Sequence, residues 1–493
     1  MCRSLLNQDL KRYKMKRRFL SGLAVVCMVS LITVSVVSCD GGDSGTTDNS
    51  MFDIRSPYEN VNWVTFGQYR ASLHTHTHNS DGSASLPDSV RRHYELGYDI
   101  LAITDHIWSR DGQGAADGQA DLYLDLVLPS WTTTQWPRKP NTTGATVWPS
   151  AGNGSIVPLT HITQEQLDAY QSGEALVDGS PRGRGLLMIP HTGEMAPHNN
   201  EELNVFFYKY HGDKFQSVPR APTAWTVGSL RSSILDAQNN GAVFFINHPG
   251  RTTTAGRTGS STPGFRTADA LAGVDVTTDP SNPNNMLTWI RKFANYFMEF
   301  SSDNLVGLEI FNRRDQDSLH DRVLWDNILT RTMPEGRTVW GYGNDDSHSN
   351  NAIYVNYNVF VMPENTTENF RSAMINGHSY IVTTVAVNEG VNRSGFDNSS
   401  FITHGITNRP SITSITVDND ADTITIVAEN ASKIVWISEG RTIHETILEA
   451  GATTGTIDLT HEDIDPQVGS YVRANIMGPN GMAVIQPIRT IRN

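Results

Sequence analysis

The sequence predicts an α/β barrel followed by a small all-β sandwich. Three observations carry that expectation. Between residues 67 and 395, apolar strand-like runs alternate with helical stretches. Each of those runs empties into His, Asp, Glu or Asn. From about residue 396 onward the texture changes to short runs of period two, separated by Asn, Asp and Gly turns. Alternation of the first kind builds a mostly parallel sheet with its chemistry at one rim, and the second pattern builds an immunoglobulin-like sandwich.

At 493 residues the chain is long enough for two or three domains. The formal charge is −14. Residues 1–38 hold seven basic residues and one acidic one, so without them 31 basic residues stand against 51 acidic, a net of −20. A surface that acidic argues against nucleic acid as a partner, because a face that follows phosphates needs Lys and Arg. The three cysteines are Cys2, Cys27 and Cys39. The body therefore has no disulfide, no thiolate nucleophile and no cysteine-ligated zinc, and any metal site must use His, Asp and Glu.

From Met15, a basic cluster of Lys16, Arg17 and Arg18 precedes an apolar run from Phe19 to Val37 and the sequence Val36-Val37-Ser38-Cys39. This looks like a bacterial lipoprotein signal, with Met15 as the start and Cys39 as the lipidated new N-terminus. The alternative is an uncleaved anchor, since about 18 apolar residues can span a bilayer. Either way the expected place is the bacterial cell envelope, tethered at the periplasmic face or the cell surface. The expected division is a signal peptide at 1–38, a flexible tether at 39–66, a barrel at 67–395 and the sandwich at 396–493. The Gly, Ser, Thr and Asp of residues 40–50 suit a spacer.

"LHTHTHNSDG", residues 73–82, places His74, His76 and His78 at every second position with Asp81 behind them. Alternate residues of a strand share a face, and imidazole is the commonest metal ligand. "LPDSVRRHYELG" then reads as a helix with Pro87 in its first turn and Gly97 at its end. "YDILAITDH" is a buried strand running into Asp105 and His106. "GLLMIPHTGE" is a strand reaching Glu194. A helix and strand follow to Asn247-His248-Pro249. "LVGLEIFN" carries Glu309 and Asn312, and a further helix and strand end at Asp345, Asp346 and His348. Strand ends that each deliver imidazole or carboxylate to one rim crowd together without enough cations. Divalent metals resolve that conflict, and N and O ligands without sulfur suit zinc, manganese or iron. Two or three such ions can share a hydroxide and clamp an oxyanion.

These residues resemble the polymerase and histidinol phosphatase (PHP) family. The motifs are His-x-His-Thr-x-x-Ser-Asp-Gly at 74–82, Thr-Asp-His at 104–106, a Gly-Glu pair at 193–194, Asn-His-Pro at 247–249, Gly-Leu-Glu-Ile-Phe-Asn at 307–312 and Asp-x-His at 346–348. Together they span most of residues 67–385. The resemblance implies a distorted (β/α)7 barrel with a centre of two or three divalent ions. Carried over by position, it implies His74, His76, Asp81, His106, Glu194, His248, Asp346 and His348 as ligands, with Glu194 bridging. Asp105 is read as orienting a neighbouring imidazole and assisting proton transfer, with direct ligation as the alternative.

The chain departs from the family in two places. The family usually has another His downstream of the glutamate, where this chain has Glu201-Glu202 before the strand "LNVFFY". Either His198 takes that role from a shifted loop, Glu202 replaces it, or the third metal is weakened; His198 is the preferred reading. The 87 residues between His106 and Glu194 hold Trp108, Trp131, Trp136 and Trp148. These indoles either pack the insert onto the barrel or line a substrate wall. His78 reads as a rim residue and His191 as a strand-end residue able to face the site. Arg251 is a candidate to hold an anionic substrate oxygen, a salt bridge to a loop being the alternative. His93, His161, His211, His320, His378, His404, His444 and His461 read as structural.

The expected activity is hydrolysis of a small-molecule or oligomeric ester, a phosphoester first, by a metal-bridging hydroxide. Exported PHP proteins with a trailing β-sandwich resemble a branch that includes carboxyl-ester and carbamate hydrolases, so those esters, or an amide, are the alternative. A non-catalytic surface receptor for glycans or phosphorylated ligands is the competing class. The sandwich itself shows no catalytic constellation, and the oligomeric state is open.

Overall fold

A computed structural model of the chain describes residues 50–77, 82–107, 127–128, 162–198, 201–208, 228–249, 286–313, 321–386, 391, 408–449 and 451–493. The expected signal peptide, Cys39 and the four tryptophans of the insert lie outside those residues, as do His78, Asp81 and Arg251. Among the described residues no helix is long and apolar enough to cross a membrane.

The chain first forms β1 (Phe52–Arg55), β2 (Gly67–Ser72), α1 (Leu86–Glu95), β3 (Ile100–Leu101) and β4 (His106–Ile107). After the insert come α2 (Gln164–Ser172), β5 (Leu187–Met188), β6 (Gly193–His198), β7 (Glu201–Phe206), α3 (Gly228–Asn239) and β8 (Val243–Ile246). They are followed by α4 (Met286–Glu299), β9 (Leu305–Asn312), α5 (Asp321–Thr332), β10 (Trp340–Asn344), β11 (Asn356–Met362), α6 (Thr367–Asn376) and β12 (Ser379–Thr383).

Strand pairing runs around the site through seven chain segments. β2 lies parallel to β3, and β3 to β5. β4 continues β3 and lies parallel to β6, which continues β5. β6 and β7 pair antiparallel, as do β7 and β8. β8, β9 and β10 are parallel. A parallel bridge from Thr75 to Ser347 joins the chain beyond β10 back to the chain beyond β2. The fold is mixed α/β with many strands, but the regular helix-per-strand repeat of a (β/α)7 barrel is not evident. Only two residues separate β6 from β7, too few for the crossover that a parallel neighbour needs, so β7 turns back against both its neighbours.

α1 forms as its sequence suggests. Ser85 caps it by accepting from Asp88 N at 3.2 Å, Pro87 occupies its first turn, and Gly97 follows with φ +82°. His93, on this helix, is fully buried and its Nδ1–H donates to Ser89 O at 2.8 Å. Burial pushes its pKa down to about 4, and Arg92 adds to that against the Ser89 bond. The neutral ring is thus favoured by folding. That contribution is present above the unfolded value near 6.5 and is lost as pH falls through 4, up to roughly 3 kcal/mol. Urea unfolding of the wild type at pH 7 and pH 4.5 should show a larger loss than His93→Leu does. Equal losses in the two proteins would remove His93 as the cause.

The C-terminal strands are β13 (Ser411–Asp418), β14 (Thr423–Glu429), β15 (Lys433–Ser438), β16 (Arg441–Ile447), β17 (Thr454–Asp458), β18 (Tyr471–Gly478), β19 (Gly481–Ile485) and β20 (Ile488–Arg492). β13, β14 and β17 make a three-stranded antiparallel sheet. β19 pairs with β12, so the larger C-terminal sheet continues into β11 and β2 without a break. β1 differs from the expected tether: it pairs with β20 along all four residues, because Phe52 and Ile54 alternate inward and are buried. Asp326 on α5 pins the two regions together. Its carboxylate accepts from Arg473 Nε and Nη2 at 2.7 Å each and from Tyr471 Oη at 2.8 Å, all buried. Asp326→Ala leaves that guanidinium without its carboxylate and is expected to cost about 3–5 kcal/mol in urea unfolding; a loss under 1 kcal/mol would mean the pair is replaceable.

Candidate metal centre

The first donors come from the chain just beyond β2. It stays extended, so His74 and His76 share a face and their Nε2 atoms lie 3.1 Å apart. Thr75 points the other way, to Ser72 Oγ at 3.0 Å. Gly82 closes this motif: its N–H donates to Thr77 O at 2.9 Å, and a Cβ there would lie 2.5 Å from His76 O. Thr77 N and Oγ1 both donate to Asp105, at 2.6 Å each. The Asp105 carboxylate therefore holds the end of the segment that carries His76.

Glu194, on β6, lies between the two imidazoles. Oε1 is 3.3 Å from His74 Nε2 and Oε2 is 3.3 Å from His76 Nε2. One oxygen toward each ring is the arrangement a bridging carboxylate needs. Asn247, at the end of β8, donates from Nδ2 to Glu194 Oε1 at 2.5 Å and to Asn204 Oδ1 at 2.8 Å. His248 follows, with Nε2 3.1 Å from Glu202 Oε2 and 3.7 Å from Glu194 Oε1. Asp346, beyond β10, places Oδ1 3.4 Å from His74 Nε2 and 3.3 Å from His76 Nε2. His348 adds Nδ1 at 3.3 Å from Asp346 Oδ1, and its ring stacks on that of His76 with centroids 4.3 Å apart.

Four overlapping groups of three donors result: His74, His76 and Glu194; His74, His248 and Asp346; Glu194, Glu202 and His248; His76, Asp346 and His348. Within each group the ligand atoms lie within 4.8 Å of one another. Six of the nine expected ligands are thereby brought together. His106 and His198 lie on β4 and β6, but the placement of their side chains is outside what is described, as is Asp81. Of the three readings for the position after Glu194, the one that places Glu202 there agrees with the cluster, which Glu202 joins through His248 and Glu194. His191 belongs to none of the four groups.

Two residues that the sequence does not mark as ligands organise the cluster. Glu309 on β9 is wholly buried. It accepts from His74 Nδ1 at 2.8 Å, from the His248 backbone N–H at 2.9 Å, from Asn312 Nδ2 at 3.0 Å and from Asn344 Nδ2 at 2.8 Å. Arg313, next after β9, donates from Nε to Asp346 Oδ2 at 3.0 Å and sets Nη2 3.2 Å from His348 Nδ1. Arg313, His248 and Asp346 have φ of +50°, +21° and +47°. Non-glycine residues rarely adopt the left-handed region, and such strain gathers where the surrounding fold holds a functional group in place.

The charges explain why a cation fits. Burial disfavours the charged His74, but the carboxylates of Glu309, Asp346 and Glu194 outweigh it and raise its pKa well above the usual imidazole value. Glu309 answers in the opposite sense: burial pushes its pKa up, and His74 and His248 more than offset that and lower it. The bond to Glu309 fixes the proton of neutral His74 on Nδ1 and leaves the Nε2 lone pair facing the other donors. Imidazole and carboxylate lone pairs directed at one small buried volume repel one another, and a divalent ion at N/O distances turns that repulsion into ligation.

No protein-family model matches the chain, and no curated protein matches it. Among solved structures it is similar to a two-domain protein from Bacteroides vulgatus containing a predicted PHP-like metal-dependent phosphoesterase. The TM-score is 0.35 at 14% identity, over 88% of this chain and 96% of that one. It is also similar to the lesion-specific endonuclease PfuEndoQ from Pyrococcus furiosus, with a TM-score of 0.28 at 11% identity, over 63% of this chain and 56% of that one. Likenesses this distant carry no argument about chemistry, which rests on the donor set. The residues behind the sequence resemblance gather into a histidine and carboxylate cluster that is compatible with a PHP metal site.

Proposed function

We propose that this protein is a metal-dependent hydrolase built on a distorted barrel of the PHP kind, that it cleaves phosphoesters, and that a lipid on Cys39 holds it in the bacterial envelope. The single observation that carries the hydrolase reading is the convergence of three carboxylates and four imidazoles, from strands far apart in sequence, into four overlapping three-donor groups. Two or three divalent ions held there would supply an activated water and charge stabilisation for the leaving oxyanion. The residues of the chain do the rest. Glu309 keeps His74 in the ligating tautomer, Asn247 orients Glu194, and Asp105 fixes the strand end beyond His76. Arg251, close in sequence to His248, would hold an anionic substrate oxygen.

The test is a panel of chromogenic phosphomonoesters, phosphodiesters and carboxyl esters, run on metal-loaded wild type and His74→Ala beside elemental analysis of both. Turnover of a phosphoester by the wild type, with loss of metal and activity in the variant, is the expected result. Turnover confined to carboxyl esters would move the substrate class and leave the metal centre intact. Metal-free protein with no turnover on any ester would leave a binding protein.

A further inference from the structure

Of the four donor groups, the one made by His76, Asp346 and His348 lies nearest the solvent. The His348 side chain is 31% exposed, whereas those of His74, His76, His248, Glu194 and Asp346 are at most 2% exposed. A guanidinium stands against this outer group. Arg313 bonds Asp346 Oδ2 through Nε at 3.0 Å, and its Nη2 lies 3.2 Å from His348 Nδ1 and 3.5 Å from Nε2. Its backbone is pinned on both sides. Arg313 N donates to Asn344 O at 3.2 Å, Asn356 Nδ2 donates to Arg313 O at 2.6 Å, and φ is +50°. The unusual conformation turns this one side chain back over the cluster from the end of β9. Its side chain is 38% exposed, so it can leave without opening the core.

We infer that the Arg313 guanidinium stands in for the cation of the outer donor group, so that a third ion enters only when this side chain swings away. The inference rests on the metal-centre reading above and concerns how many ions the centre keeps. A fixed positive charge touching two of the three donors repels an incoming dication: it bonds Asp346 through Oδ2, beside the Oδ1 that faces His76 and His348, and sets Nη2 against the His348 ring. Removing that charge should therefore tighten the outermost site most and leave unchanged the two inner groups that lack Asp346, which Arg313 does not touch.

The experiment titrates Mn²⁺ into the full chain stripped of metal by chelation, by calorimetry, and counts bound metal after equilibrium dialysis. Wild type should saturate with two tightly held ions. Arg313→Gln should bind a further ion about tenfold or more tighter than wild type does, as expected for relief of charge repulsion at contact distance. Equal affinity for the last ion in both proteins, or weaker binding in the variant, overturns the inference while the metal centre stands. Wild type that takes up no Mn²⁺ overturns both. Should Arg313→Gln fail to fold, Arg313→Met carries the test: it also removes the charge, the further ion should again bind about tenfold tighter than in wild type, and no change there is the refuting result.

Discussion

Asp346→Asn should cost the protein both metal and turnover, the latter by about 10²–10³-fold, the range for removing one group that stabilises developing charge. The reason is topological. Asp346 belongs to two donor groups at once, sharing one with His74 and His248 and the other with His76 and His348. Its two oxygens divide the work: Oδ1 faces His74, His76 and His348, and Oδ2 faces His248 and Arg313. An amide keeps the shape but replaces one anionic oxygen by a donor, which would point N–H groups at imidazole nitrogens or at a cation. Elemental analysis and single-turnover kinetics on whichever ester the panel identifies check the prediction. The comparison is His348→Ala, which touches only the outer group and should lose one ion and less rate. If Asp346→Asn kept full metal content and turnover within twofold of wild type, Asp346 would not be a ligand and the shared centre would fail.

Much of this centre can be read from the sequence because strand geometry is local. His74 and His76 must share a face if the chain is extended, whatever surrounds them. A strand that runs out into Asn247-His248 or into Asp346 and His348 delivers those groups to one side once the strands run parallel, and Glu194, the second residue of β6, meets them there. The antiparallel β7 is where this logic breaks. It enters the sheet from the opposite direction, so Glu202 reaches His248 from the start of its strand, not the end. The rule of polar strand ends therefore weighs Glu202 too lightly. The same limit applies to Arg313. Nothing in Asn312-Arg313 predicts a left-handed turn, because that conformation is held by Asn344 and Asn356, residues 31 and 43 positions away. The period-two runs after 396 do form strands, but pairing of β19 with β12 is a long-range choice that local alternation does not encode. β1 was masked by its setting: two inward apolar residues after a spacer-like run look like a tether until β20 is there to pair with them.

Glu309→Gln is the second large effect, and it separates orientation from ligation. Glu309 is in none of the four donor groups, yet both of its oxygens are used. Oε1 takes the Nδ1 proton of His74 and a proton from Asn344, while Oε2 takes the His248 backbone N–H and a proton from Asn312. A glutamine there presents one oxygen and one NH₂ to four donors, so at least one donor loses its acceptor in a fully buried site. If His74 loses it, the proton can shift to Nε2 and the ring ceases to be a ligand. Loss of such an outer partner typically weakens metal affinity by about 10–100-fold, and that is the expected change in Mn²⁺ dissociation constant, with KM for the ester little altered. Glu309→Asp, which keeps the charge on a shorter arm, should fall between. A purely structural role would lower thermal stability and leave the affinity of the surviving folded protein unchanged. A folded Glu309→Gln that binds Mn²⁺ as tightly as wild type would therefore show that the His74 tautomer is set by something other than this carboxylate.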